Sequence, residues 1–90
     1  VINMTNPKVK YVRQEKETVN DPYQDKHTNY ASYYKTPHGQ ASIEWSMTPS
    51  KHFWYLTYDG PLQYANEVLR LDRIRMRKKG AKGFHNTRGN

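Results

Sequence analysis

The chain has no cysteine. That excludes a disulfide scaffold and any cysteine-ligated zinc or iron–sulfur site. Large apolar side chains are scarce as well: Leu, Ile, Val and Phe together number 14 of 90 residues. A chain of this length begins with little surplus stability, and so small an apolar inventory sits where independent folding is hard to sustain. Without disulfides, burial against a partner is the remaining source of order. Long hydrophobic runs are missing too. The longest uncharged stretches, 27–34 and 36–43, span eight residues each, against about 20 for a membrane-spanning helix. The sequence therefore predicts no transmembrane segment, and its first residues lack the apolar core of a secretory signal.

The last shortage is the most informative. Residues 68–90 contain a single acidic residue, Asp72, against eight Lys and Arg. Residues 1–67 carry seven of each sign and sum to zero, so the whole formal charge of +7 lies in the last quarter. Such an asymmetry calls for a polyanionic partner: nucleic acid, an anionic membrane surface or an acidic protein face.

What is present is read in order along the chain. Residues 1–29 are polar and broken by Asn3, Asn6, Pro7, Asn20, Asp21 and Pro22. Residues 8–13 alternate weakly and could add to a partner sheet as an edge strand. A solvated arm that becomes ordered only by lying on something is the preferred reading. Tyr30, Tyr33 and Tyr34 have the i, i+3, i+4 spacing of one helical turn. Residues 36–39 (TPHG) read as a turn. Residues 42–47 alternate, with Ile43, Trp45 and Met47 on one side. Residues 52–58 (HFWYLTY) carry the strongest strand signal, bounded by Pro49 and by Asp59-Gly60. Phe53, Tyr55 and Thr57 would face one way and Trp54, Leu56 and Tyr58 the other, so both faces want cover.

A helix is predicted at about 61–79. Asp59 is a candidate N-cap, Pro61 suits the first turn, and Gly80 suits the stop. At 100° per residue, Leu62, Tyr64, Ala65, Val68, Leu69, Leu71 and Met76 share one broad side. Arg70, Arg73 and Arg77 form a stripe beside it. These features predict a small, irregular α+β protein. It comprises an extended polar arm (1–29), a minimal α+β module (30–79) with one or two short strands and one C-terminal amphipathic basic helix, and a flexible basic tail (80–90).

Function follows from the charge. Guanidinium forks pair with phosphate oxygens and lysines add point charges, and each phosphate neutralised releases counterions. The candidate polyanion contacts are Arg70, Arg73, Arg75, Arg77, Lys78, Lys79, Lys82 and Arg88. The aromatics Trp45, Phe53, Trp54, Tyr55 and Tyr58 are assigned to the small core and to protein interfaces rather than to base stacking. His27, His38, His52 and His85 lack the close spacing of a zinc site, and each reads as a surface or turn residue. There is no P-loop, dinucleotide fingerprint or nucleophile elbow. No catalytic residue, cofactor or metal is assigned, and an enzyme is not expected.

The leading expectation is a non-catalytic structural subunit of a large ribonucleoprotein, of an organellar (mitochondrial) or divergent ribosome type. Its partners would be neighbouring proteins and the rRNA backbone. The alternative is a peripheral accessory subunit of a membrane-bound respiratory or photosynthetic complex, its basic segment turned to lipid headgroups or an acidic neighbour.

Overall fold

The computed structural model describes residues 8–23, 26–49, 51–81 and 85–86. Four strands form an antiparallel meander in chain order: β1 (Lys10–Val19), β2 (His27–Thr36), β3 (Gly39–Met47) and β4 (His52–Thr57). One helix, α1 (Leu62–Lys78), follows and covers one face of the sheet. A short β5 (His85–Asn86) pairs in parallel with Phe53 and Trp54 on the outer edge of β4.

Register fixes the two faces. Tyr30 pairs with Trp45 and Trp45 with Trp54; Ser32 pairs with Ile43 and Ile43 with Leu56. Because side chains alternate along a strand, these rows lie together under α1. The core gathers Tyr34, Ala41, Ile43 and Trp45 from the sheet with Val68, Met76 and Ala81 from the helix and its cap, and Val9 ahead of β1. The intervening rows, such as Glu15, Ala31, Glu44 and Tyr55, lie on the face with no helix.

This architecture corrects the expected one. The irregular α+β module with an extended arm is instead a regular sheet carrying a single helix. Within the described residues of 1–29 the chain forms β1 and the start of β2. An edge strand is rich in charge because Lys and Glu protect an open edge from further pairing, and that composition imitates a solvated arm. β1 also carries a bulge: Tyr11 pairs with Tyr34 and Arg13 with Tyr33, leaving Val12 as the extra residue. The bulge shifts the alternation by one, so Tyr11 and Gln14 share the helix side. The tyrosine turn expected at 30–34 is the middle of β2. Tyr30 and Tyr34 fit period two as well as a helical turn, and tyrosine and threonine favour a pleated surface.

Other expectations coincide with the fold. Residues 36–39 make the β2–β3 turn, where the Thr36 hydroxyl donates to the Gly39 carbonyl (2.8 Å) and accepts from the His38 N–H (3.0 Å). Gly39 takes φ +104°, which a side chain rarely tolerates. The alternations of β3 and β4 fall as read. The helix begins one residue later than predicted, with Pro61 at the N-cap and no side-chain cap, so Asp59 does not cap it. It ends as a Schellman motif: Gly80, at φ +90°, donates to the Arg77 carbonyl, and Ala81 donates to that of Met76. Ala81 then packs in the core beside Met76. The expected flexible tail therefore begins as an ordered cap. Among the described residues, no helix is long and apolar enough to cross a membrane.

Candidate polyanion interface

The helix docks through a carboxylate. Asp72 is almost wholly buried, at 1% exposure. Its Oδ1 accepts from the Tyr34 hydroxyl (2.9 Å) and its Oδ2 from the Trp45 indole (2.7 Å). Burial pushes the Asp72 carboxyl above its usual range, against the opposing pull of the Trp45, Tyr34 and Ser32 hydrogen bonds and the Arg75 charge. The Tyr34 phenol is raised by burial and then by the Asp72 charge. A buried charge needs such partners to be tolerable.

This anchoring decides the fate of the basic residues. Arg70 is turned back along its own helix. Its Nε and Nη2 donate to Glu67 at 2.9 and 2.7 Å, a bidentate pair at i, i+3 spacing. Arg75 lies with its guanidinium carbon 3.4 Å from the centroid of the Tyr11 ring, which meets Tyr34 edge-on at 5.8 Å. The Nε of Arg75 is buried without a hydrogen-bond partner. Arg73, Arg77, Lys78 and Lys79 are exposed along the C-terminal half of α1. Cations there also complement the negative end of the helix dipole. Lys82 and Arg88 lie outside the described residues.

Between α1 and the start of β1 runs a groove of 520 Å³, lined by Val9, Tyr11, Leu71, Ile74, Arg75, Lys78 and Lys79. Among the described residues, no carboxylate lines it. Beside it, Lys79 at the C-cap of α1 and Lys16 of β1 converge on one ring, their Nζ atoms 5.5 and 5.9 Å from the centroid of Tyr30. Lys16 was not among the sequence candidates. Nothing in its neighbourhood in sequence, where it sits between Glu15 and Glu17, singles it out. Only the β1–β2 register, which pairs it with Tyr30, brings it to the helix end.

The expected interface aromatics divide among three settings. Trp45 is buried against Asp72, Trp54 and Tyr58 are half-buried under the helix, and Phe53 and Tyr55 are exposed on the uncovered face. Of the histidines, His38 lies in the turn near Tyr64, His27 is half-buried, and His52 is buried at the start of β4. Among the described residues, no group of three or more His, Asp or Glu could hold a metal ion. No family model matches the chain, and no curated protein or solved structure gives a significant match.

Proposed function

We propose that this chain is a non-catalytic structural subunit of a ribonucleoprotein assembly and rests the C-terminal end of its helix on RNA backbone. The observation that carries the reading is a groove lined by Arg75, Lys78 and Lys79 and, among the described residues, by no carboxylate, with Lys16 of β1 meeting Lys79 beside it on the Tyr30 ring. Cations held close together without a neutralising carboxylate in that groove repel one another, and a phosphate chain relieves the repulsion. Tyr11 and Tyr30 beside these cations add aromatic faces on which an unpaired base can stack.

Such contacts follow the backbone without reading sequence. The test is binding of a mixed-sequence, partly single-stranded RNA at several salt concentrations. Changing Arg77 and Lys78 together to alanine is expected to flatten the slope of log K against log salt by roughly 1.4–1.8. An unchanged slope, or no RNA binding at low salt, defeats the proposal. Binding to anionic vesicles without RNA binding would move the protein to a membrane surface instead.

A further inference from the structure

The face of the sheet opposite α1 is not covered by any described element, and it carries three carboxylates, Glu15, Glu17 and Glu44, with Arg13 and Lys35 further along the same face. Glu15, Ala31, Glu44 and Tyr55 form one row across β1 to β4, and Glu17, Asn29, Ser46 and Phe53 form the parallel row. With Lys16, Tyr30, Trp45 and Trp54 of the row between, they surround a depression of 740 Å³. Short side chains at Ala31 and Ser46 leave room there, between the longer Glu15, Glu17, Glu44, Phe53 and Tyr55. Neighbouring strands lie about 4.8 Å apart, so Glu15 and Glu44 stand roughly 10 Å from each other across Ala31, with Glu17 one step along the sheet. Phe53 and Tyr55, 39% and 41% exposed, wall the β4 side.

An antiparallel sheet can leave one face to water, and scattered charges there need no partner. Two features set this face apart. Glu15 is engaged, by Arg13 at 3.2 Å and by the Tyr33 hydroxyl at 3.4 Å. Glu17 and Glu44, in contrast, have no ion-pair partner among the described residues, in a chain with 15 Lys and Arg. The same depression also exposes aromatic area, on Phe53 and Tyr55. Carboxylates beside aromatic rings match a guanidinium, which pairs with the former and stacks on the latter.

We infer that this depression docks an arginine-bearing extended segment of a partner protein, one arginine seated over Ala31 between Glu17, Glu44 and Tyr55. The breadth of the site, across all four strands of the meander, fits side chains at every second position of an extended segment, which recur about every 6.8 Å. Charge complementarity selects the occupant: Glu15, Glu17 and Glu44 border the depression, while Lys16, which also borders it, holds its ammonium near the Tyr30 ring, and the cationic groove of the RNA-binding reading is lined by other residues. The inference adds a protein-facing surface to that reading and stands on different residues.

The test uses the whole chain and a labelled short peptide alternating arginine and leucine, with a glutamate–leucine peptide as control. The chain is expected to bind the first and not the second, although its own charge of +7 opposes a cationic ligand everywhere else. Changing Glu17 and Glu44 together to glutamine is expected to weaken binding about tenfold, as for a close charge pair. Ala31→Phe is expected to do the same by filling the depression while leaving the charge unchanged. Circular dichroism of each variant separates lost binding from lost fold, and the glutamine variant keeps the side-chain shape if Ala31→Phe is unstable. No binding at low salt, or equal binding by all variants, overturns the inference. Self-association of the unmodified chain that Glu44→Gln and Arg77→Ala both abolish would put a second copy in the depression and also overturn it. RNA plays no part in these measurements, so this inference and the RNA reading fail separately.

Discussion

Trp45 and Asp72 meet in the interior at 2.7 Å, the indole N–H donating to the carboxylate. With the Tyr34 hydroxyl on the other oxygen, this contact ties the central strands to the helix. A chain poor in aliphatic residues has built its core from amphipathic ones and satisfied the polar ends of Tyr34 and Trp45 through a single acid, while the Tyr58 hydroxyl is buried without a hydrogen-bond partner. Tyrosine and tryptophan supply large apolar area but require a partner for their O–H and N–H when buried.

Asp72→Ala should therefore be among the most damaging substitutions in the molecule. It leaves two buried donors without an acceptor and opens a small void. The expected loss is about 2–4 kcal/mol, read as a lower midpoint in urea denaturation. A variant within a few tenths of a kcal/mol of the parent would show that water replaces the carboxylate at little cost.

Stability should fall at alkaline pH. The folded-state Tyr34 phenol is held above its ordinary value by burial and by Asp72, whereas an unfolded tyrosine ionises near pH ~10. Above that pH the unfolded chain has released a proton that the folded chain retains, so rising pH favours unfolding. The contribution is full below pH ~10 and is lost as pH rises towards the folded value, by at most about 1.4 kcal/mol per pH unit. Tyr34→Phe should reduce that slope; equal slopes in the two proteins would exclude Tyr34 as its source. Asp72, also raised, acts in the same sense at acid pH. Its share is full below the ordinary carboxylate range and declines as pH rises through the folded value.

Arg70 and Arg77 should separate stability from RNA contact. Arg70 is committed to Glu67, whose side chain is only 10% exposed, while Arg77 is exposed. Arg70→Ala is expected to lower the denaturation midpoint and leave the salt dependence of RNA binding nearly unchanged. Arg77→Ala should flatten the salt dependence by about one phosphate's worth with little effect on stability. The reverse pattern would mean that the Arg70–Glu67 pair opens when RNA binds.

Strand β4, the alternation of β3, the turn at 36–39 and the helix to Gly80 could be read from local pattern, because each is bounded by Pro or Gly and keeps one period throughout. Strand β1 could not. Its bulge at Val12 breaks the alternation, and its edge position fills both faces with polar residues. The tyrosines of β2 satisfied two periods at once, and only pairing with β3 chose between them. The helix face drawn at 100° per residue placed Leu62 inside, where it is 68% exposed. It also gave no sign that Glu67 and Asp72 would be buried, since their partners lie on another turn and on other strands.

The sequence alone determined the composition-level facts: no disulfide, a neutral stretch over residues 1–67, a basic last quarter, and a helix that must stop at Gly80 because only glycine holds φ +90° there without strain. The tertiary structure decided which of those charges are available. It turned Arg70 onto Glu67 and laid Arg75 on Tyr11. It brought Lys16 to the helix end and gathered Glu15, Glu17 and Glu44 around Ala31. Charge count is a property of the chain, but charge position depends on cross-strand register and helix docking. Those are set by contacts between residues far apart in sequence, which no local pattern encodes.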